Sequence, residues 1–171
     1  MITISLCMIV KNEEKVLARC LDSIADLMDE IIIVDTGSSD NTKEIAKKYT
    51  DKIYDFAWID DFSAARNYSF SKATKEYIYV ADADEVIDAD NHRKLAELKE
   101  VLIPEIEIVQ MRYCNQLANG TAYNFDAEYR PKLYKRQREF TWIEPVHEMV
   151  RLDPVVYDSE IDILHMPESL H

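Results

Sequence analysis

The hydrophobic pattern in the first half of the chain alternates between two periods. Residues 2–10 form an apolar run of high β-propensity and predict a buried strand. Val16, Leu17, Cys20, Leu21 and Ile24 recur at helical spacing, so residues 13–25 predict a helix with one apolar face. Glu30–Asp35 is almost continuously β-branched, the pattern of a parallel strand covered on both faces. The polar stretch Thr36-Gly37-Ser38-Ser39-Asp40-Asn41 predicts a loop in which Asp40 or Asn41 caps a helix running to about Tyr49. A short strand at 53–56, a helix at 62–73 with Asp61 near its start, and a buried strand at 77–81 follow. That last strand stops abruptly at Asp82-Ala83-Asp84-Glu85.

Such a β-α-β-α-β-α-β order implies a parallel sheet with right-handed crossovers. Beyond a helix near 91–102 the pattern changes. Strand-like stretches at 106–113, 129–134 and 161–164 are separated by turn signals at Asn119-Gly120 and Lys135-Arg136-Gln137-Arg138, which predicts mixed or antiparallel sheet. The fold class is therefore α/β: a mixed, mainly parallel, Rossmann-like sheet flanked by helices. With 171 residues the chain supplies one core rather than two, so residues 1–171 are expected to form a single domain.

Composition narrows the function. The formal net charge is −13, from 33 acids against 20 bases, which argues against a nucleic-acid partner. A polyanionic ligand stays compatible with that charge if a bound cation reverses the local field. Cys7, Cys20 and Cys114 are odd in number and contain no CxxC, so they are expected to be buried free thiols rather than a zinc site. No apolar run approaches the roughly 20 residues that span a bilayer, so no transmembrane segment is expected. No basic leader precedes Ile2, and the expected location is cytoplasmic, free or peripheral at the inner membrane face. Only two glycines occur, and neither GxGxxG nor GxxxxGK[ST] is present, which disfavours dinucleotide and P-loop sites.

Three polar clusters follow apolar strands: Lys11-Asn12-Glu13-Glu14, Asp35 to Asp40, and Asp82-Ala83-Asp84-Glu85. Ligands of open parallel sheets bind at those carboxyl ends. In an extended segment alternate side chains point the same way, so Asp82 and Asp84 are expected to face one ion. Mg²⁺ and Mn²⁺ favour carboxylate oxygens and commonly keep phosphate and water as their other ligands. The competing reading of Asp-x-Asp is a solvated turn and helix cap. Its position directly after Tyr77-Ile78-Tyr79-Val80-Ala81 favours a site.

In four ordered segments the chain resembles family 2 glycosyltransferases of the GT-A fold. They are Ile4 to Glu14, Ile31 to Thr42, Phe62-Ser63-Ala64-Ala65-Arg66-Asn67, and Tyr79 to Glu85. Trp142-Ile143-Glu144-Pro145-Val146-His147-Glu148 is similar to the Val-His-Glu motif of a bacterial branch, and Ile161-Asp162-Ile163-Leu164-His165 extends the likeness nearly to the end. The resemblance implies a metal-dependent inverting enzyme that moves a sugar from a nucleotide-diphosphate donor, by family association a UDP-sugar, to an acceptor hydroxyl on a glycan, lipid or peptide. Residues 1–90 would bind the nucleotide and residues 91–171 would form the acceptor side. Asp35 would meet the base or ribose, with Asn12 and Glu13 beside it, and Arg66 would lie near the nucleotide or diphosphate. Asp82 would reach the ribose or sugar, Asp84 would ligate Mn²⁺ or Mg²⁺, and His165 would complete the metal site. Glu148 would be the general base, and His147 would bind acceptor or diphosphate.

Two departures qualify this expectation. The branch usually has glycine two residues before the motif's histidine, where this chain has Glu144-Pro145. The chain also stops soon after His165, as a short or truncated member would. The alternative is therefore a nucleotide-sugar-binding module of a larger protein with weak turnover. A sugar-phosphate nucleotidyltransferase would want a Gly-rich basic first loop, and an Asp-x-Asp phosphatase would carry its motif after the first strand.

Overall fold

The computed structural model describes residues 1–115, 128–136 and 155–167, and these build one eight-stranded sheet. Its strands are β1 (Ile4–Val10), β2 (Glu30–Asp35), β3 (Ile53–Asp55), β4 (Tyr77–Val80), β5 (Glu85–Val86), β6 (Ile108–Asn115), β7 (Glu128–Lys135) and β8 (Val156–His165). The helices are α1 (Leu17–Ile24), α2 (Thr42–Ala46), α3 (Phe62–Lys72) and α4 (Ala89–Val101). The spatial order is β3-β2-β1-β4-β7-β6-β8-β5.

The first half is parallel, as its apolar runs predict. β1 pairs with β2 from Ser5↔Glu30 to Val10↔Asp35, and with β4 from Ile4↔Tyr77 to Cys7↔Val80. These registers bring the carboxyl ends of β1, β2 and β4 to one rim. Both faces of β1 are covered, which is why its run is apolar without alternation. On one face Leu6 and Met8 pack with Leu17, Leu21 and Ile24 of α1 and Leu95 of α4. On the other, Cys7 packs with Val34, Val80, Ala73 and Tyr134. Leu17 and Leu21 are fully buried, which stabilises the α1 contact by about 2–3 kcal/mol each.

Helix ends differ from expectation for local reasons. α1 starts at Leu17 rather than residue 13, because the Glu13 carbonyl accepts from both Val16 N (3.2 Å) and Leu17 N (2.9 Å) and the chain turns first. α2 ends at Ala46, short of Tyr49, because the bonds Lys48 N to Ile45 O and Tyr49 N to Ala46 O tighten to three-residue spacing. Asp61 does open α3, accepting from Ala64 N at 3.0 Å, and Asp88 does the same for α4 from Asn91 N at 2.9 Å.

The second half is mixed. β7 lies antiparallel between β4 and β6, β5 pairs antiparallel with β8, and β8 runs parallel to β6. The β6–β7 register passes from Val109↔Leu133 to Gln110↔Pro131, so Lys132 is the extra residue of a bulge beside a proline that has no N–H to give. The bulge turns the Lys132 side chain inward, and Lys132, Leu133 and Tyr134 are all buried in succession.

At the end of the sheet opposite the rim, Glu30 is saturated with donors. Ser5 Oγ (2.7 Å) and Thr74 N (2.8 Å) reach Oε1, while Thr74 Oγ1 (2.9 Å) and Lys52 Nζ reach Oε2. Burial pushes this carboxyl up, but the hydrogen bonds from Lys52, Ser5 and Thr74 outweigh it and hold the pKa down at about 2, from 4.5. A depressed carboxylate stabilises the fold above its unfolded pKa, and the contribution fades as pH falls from about 4.5 to about 2. Its size is about 3 kcal/mol, by the linkage of 1.36 kcal/mol per pH unit. Glu30→Gln is expected to flatten stability across that window, as read from denaturant melts at a series of pH values. A wild-type slope surviving in Glu30→Gln would contradict this.

Candidate functional site on the carboxyl-terminal rim

The rim is stitched together before it meets any ligand. Asp35 Oδ1 accepts from Gly37 N and Ser38 N, both at 2.8 Å, an Asx-type turn that needs the left-handed φ of +116° at Gly37. Asn12, itself at φ 53°, accepts from Ser39 N at 2.8 Å and donates its own N–H to Ser38 Oγ at 2.9 Å. Glu13 N donates to Thr42 Oγ1 (2.8 Å), and Asn41 N donates to Glu14 Oε2 (2.9 Å). Much of the first two polar clusters therefore holds the loops against each other. Asp35 Oδ2 is the exception: it is buried and has no hydrogen-bond partner among the described residues, in a side chain 2% exposed. A buried carboxylate oxygen without a donor is costly, and a ligand N–H or O–H would satisfy it.

The segment 82–85 is not extended as expected. Glu85 N donates to Asp82 O at 3.0 Å, closing a turn, and Ala83 is buried beneath it. Both carboxylates nevertheless border one cleft of about 420 Å³, together with Lys11, Glu13, Thr36, Trp58, Phe62 and His165. Asp84 Oδ2 lies 2.8 Å from His165 Nε2, and Asp84 O accepts from Met166 N at 2.8 Å. His165 is partly buried, stands 5.2 Å from the Tyr113 ring, and lines the cleft.

Glu85 leaves the rim altogether. It is buried and paired with Lys132 at 2.6 Å, the two side chains 5% and 6% exposed. Burial pushes its carboxyl above the usual range; the Lys132 ammonium opposes this and the Asp82 carboxylate adds to it. Glu85 was grouped with the polar cluster that follows β4, and the structure places it in the interior instead. The turn leaves Asp82 and Asp84 on the cleft and buries Ala83 and Glu85.

Arg66 sits in the second turn of α3 and lines a separate pocket of about 180 Å³ with Asp82, Glu85, Arg130 and Lys132. Asp82 borders both spaces. Of the two acids that precede α3, Asp61 caps the helix and Asp60 accepts from Trp58 Nε1 at 2.8 Å. Glu148 and His147, with the Glu144-Pro145 loop, lie outside the described residues. The three cysteines are free and buried as expected, and burial pushes the Cys7 thiol up to about 12. Trp58 and Phe62 were not singled out from sequence as cleft residues. The signal was a non-periodic apolar stretch, Phe56-Ala57-Trp58-Ile59, between a strand and two acids.

For a divalent ion, Asp84 and His165 offer a hard carboxylate and an imidazole side by side, with Asp82 on the same cleft. Among the described residues no group of three or more acids, histidines or cysteines converges to form a protein-only cage. The donor set fits an ion whose remaining ligands are diphosphate oxygens and water. Among the described residues no helix is long and apolar enough to cross a membrane.

Fold and rim together place the domain in the α/β class of GT-A type, a mixed, largely parallel sheet that presents its carboxylates at one end. The chain belongs to glycosyl transferase family 2, whose sequence profile matches residues 5–150. It is 51% identical over 85 residues to a TPR repeat-containing protein of Synechococcus elongatus, covering 50% of this chain and 21% of that one. It is 41% identical over 102 residues to the SPbeta prophage-derived glycosyltransferase SunS of Bacillus subtilis, covering 58% and 24%. The chain thus matches only between a fifth and a quarter of the length of these relatives. Among solved structures, glucosyl-3-phosphoglycerate synthase from Mycobacterium tuberculosis, in complex with Mg²⁺ and UDP, superposes with a TM-score of 0.71 at 16% identity, covering 98% of this chain and 72% of that one.

Proposed function

We propose that this domain transfers a sugar, with inversion, from a UDP-sugar to an acceptor hydroxyl in a reaction that needs Mn²⁺ or Mg²⁺. One observation carries the reading: Asp84 and His165, 81 residues apart, meet on the cleft that also holds Thr36, the neighbour of Asp35. The mycobacterial synthase, which has the same fold, has been crystallised with Mn²⁺ and UDP-glucose, and this supports the choice of donor.

Residues 1–90 hold the nucleotide in this reading, and residues 91–171 present the acceptor. Asp35 Oδ2 accepts a hydrogen bond from the base or ribose, with Asn12 and Glu13 supporting the loop beside it. Asp82 orients the ribose or sugar, Asp84 and His165 hold the ion, and Arg66 offsets charge growing on the diphosphate. When bound, the ion supplies Lewis-acid stabilisation of the leaving group. Glu148 takes the acceptor proton, a step worth about 10²–10⁴-fold. His147 steadies the acceptor or diphosphate.

Thermal melts with a panel of nucleotides and nucleotide-sugars, each with and without Mn²⁺, test this. At 100 Kd a ligand specific for the folded state adds about 2.7 kcal/mol, a rise of roughly 5–10 °C for a domain of this size. UDP or a UDP-sugar is expected to give that rise only with metal. No shift with any nucleotide would sink the proposal. A shift without detectable transfer would favour the binding-module alternative.

A further inference from the structure

Strand pairing lays three side chains in a diagonal row across one face of the sheet. Tyr113 of β6 stands opposite Glu128 of β7 and Ile163 of β8. Arg130 and His165, each two residues along its own strand, are therefore its diagonal neighbours on the same face. The row is in contact throughout. The Arg130 guanidinium carbon lies 3.7 Å from the centre of the Tyr113 ring, and the Tyr113 and His165 rings are 5.2 Å apart at 32°. Glu128 Oε1 accepts from Arg130 Nε at 3.0 Å and from Nη2 at 2.8 Å, which fixes the guanidinium, and Tyr113 itself is buried.

The backbone around His165 is fixed as well. His165 pairs with Asn115 on one side and Glu85 on the other, Met166 N donates to Asp84 O at 2.8 Å, and Arg19 Nη2 donates to Met166 O. What the backbone leaves undetermined is the rotation of the imidazole about its side-chain bonds, in a side chain 26% exposed. Asp84 Oδ2 meets the ring at Nε2, but that oxygen is one an ion would claim. The Tyr113 contact occupies no lone pair of either ligand, so it persists with the ion bound.

We infer that Tyr113 is a positioning residue for the metal site: its ring, itself held by Arg130, sets the angle at which the His165 imidazole shares an ion with Asp84. This rests on the metal-dependent reading of the cleft and adds to it the residue that orients one ligand. Groups that orient a ligating histidine tune the affinity of the site without touching the metal. Here the ring face does the orienting, and the phenol hydroxyl has no part in it.

Melting curves at fixed UDP and rising Mn²⁺ test the inference, each variant being compared with its own metal-free curve so that a change in intrinsic stability drops out. Tyr113→Leu is expected to raise the half-saturating Mn²⁺ concentration about 10-fold, the lower end of the usual cost of losing a group that orients a metal ligand. Tyr113→Phe keeps the ring contact and is expected to stay within about two-fold of native. In a His165→Ala background Tyr113→Leu is expected to add no more than about two-fold, because a residue that acts through His165 has nothing left to act on. Should the leucine variant not fold, Tyr113→Met takes its place with the same expectation. A native Mn²⁺ requirement in Tyr113→Leu, an undiminished loss in the His165→Ala background, or a Tyr113→Phe as impaired as Tyr113→Leu overturns the inference alone. A UDP shift that needs no Mn²⁺ in the native protein, or a His165→Ala with native Mn²⁺ demand, overturns the parent reading of the metal site and the inference with it.

Discussion

Asp84→Asn is expected to lower the transfer rate by roughly 10²–10³ while leaving the fold intact, the usual cost of removing one preorganised electrostatic group. Asparagine keeps the size of the side chain and an oxygen that can still accept from His165 Nε2, now 2.8 Å from Asp84 Oδ2. The backbone bond from Met166 N to Asp84 O does not depend on the side chain. What the substitution removes is the negative charge that would hold a divalent ion. The metal-dependent rise in melting temperature with UDP should therefore vanish along with turnover. Both quantities are measurable on one preparation. If the metal-dependent shift persists in Asp84→Asn, Asp84 is not a metal ligand, and the ion must be held elsewhere.

A second large effect is expected beneath the rim. Lys132→Met leaves the buried Glu85 carboxylate without its 2.6 Å partner, and breaking such a pair typically costs about 3–5 kcal/mol. For a domain of this length that is a fall of roughly 6–20 °C in melting temperature. The double variant Glu85→Leu/Lys132→Met is expected to regain most of the loss, because two apolar side chains need no desolvation of charge. Melting curves of the single and double variants decide the matter. A single variant as stable as the native protein would show that the pair contributes little. Glu85 directly follows Asp84, and its N–H closes the turn on Asp82 O, so the pair also ties the acidic turn to β7.

Much of this was legible in the residues. Continuous apolar runs at β1, β2 and β4 marked strands covered on both faces, and the acids ending two of them marked the rim. Asp61 was read correctly as the start of α3. Local pattern could not reveal the Glu85–Lys132 pair, because its partners are 47 residues apart and Lys132 faces inward only through a bulge beside Pro131. Nor could it reveal that Asp82 and Asp84 sit on a turn, since Asp-Ala-Asp carries no glycine or proline to announce one. Asn12 was grouped with the nucleotide contacts, yet its amide oxygen is occupied by the loop at Ser39. The polar residues of a rim divide between binding and scaffolding, and sequence spacing does not separate the two.

The pairing of Glu85 with His165 at the far edge of the sheet sets an order of assembly. Strands β1 to β4 are contiguous along the chain and can form as soon as residues 1–80 are available. The histidine beside Asp84 arrives only with β8, after β6 and β7 have given that strand a place to dock. Contacts this distant along the chain are slow to close, so the Asp84–His165 contact forms later than the parallel half of the sheet. A nascent chain at that stage carries the parallel half of the sheet, while the core still lacks Val109, Met111, Leu133, Ile161 and Ile163 and the rim still lacks His165.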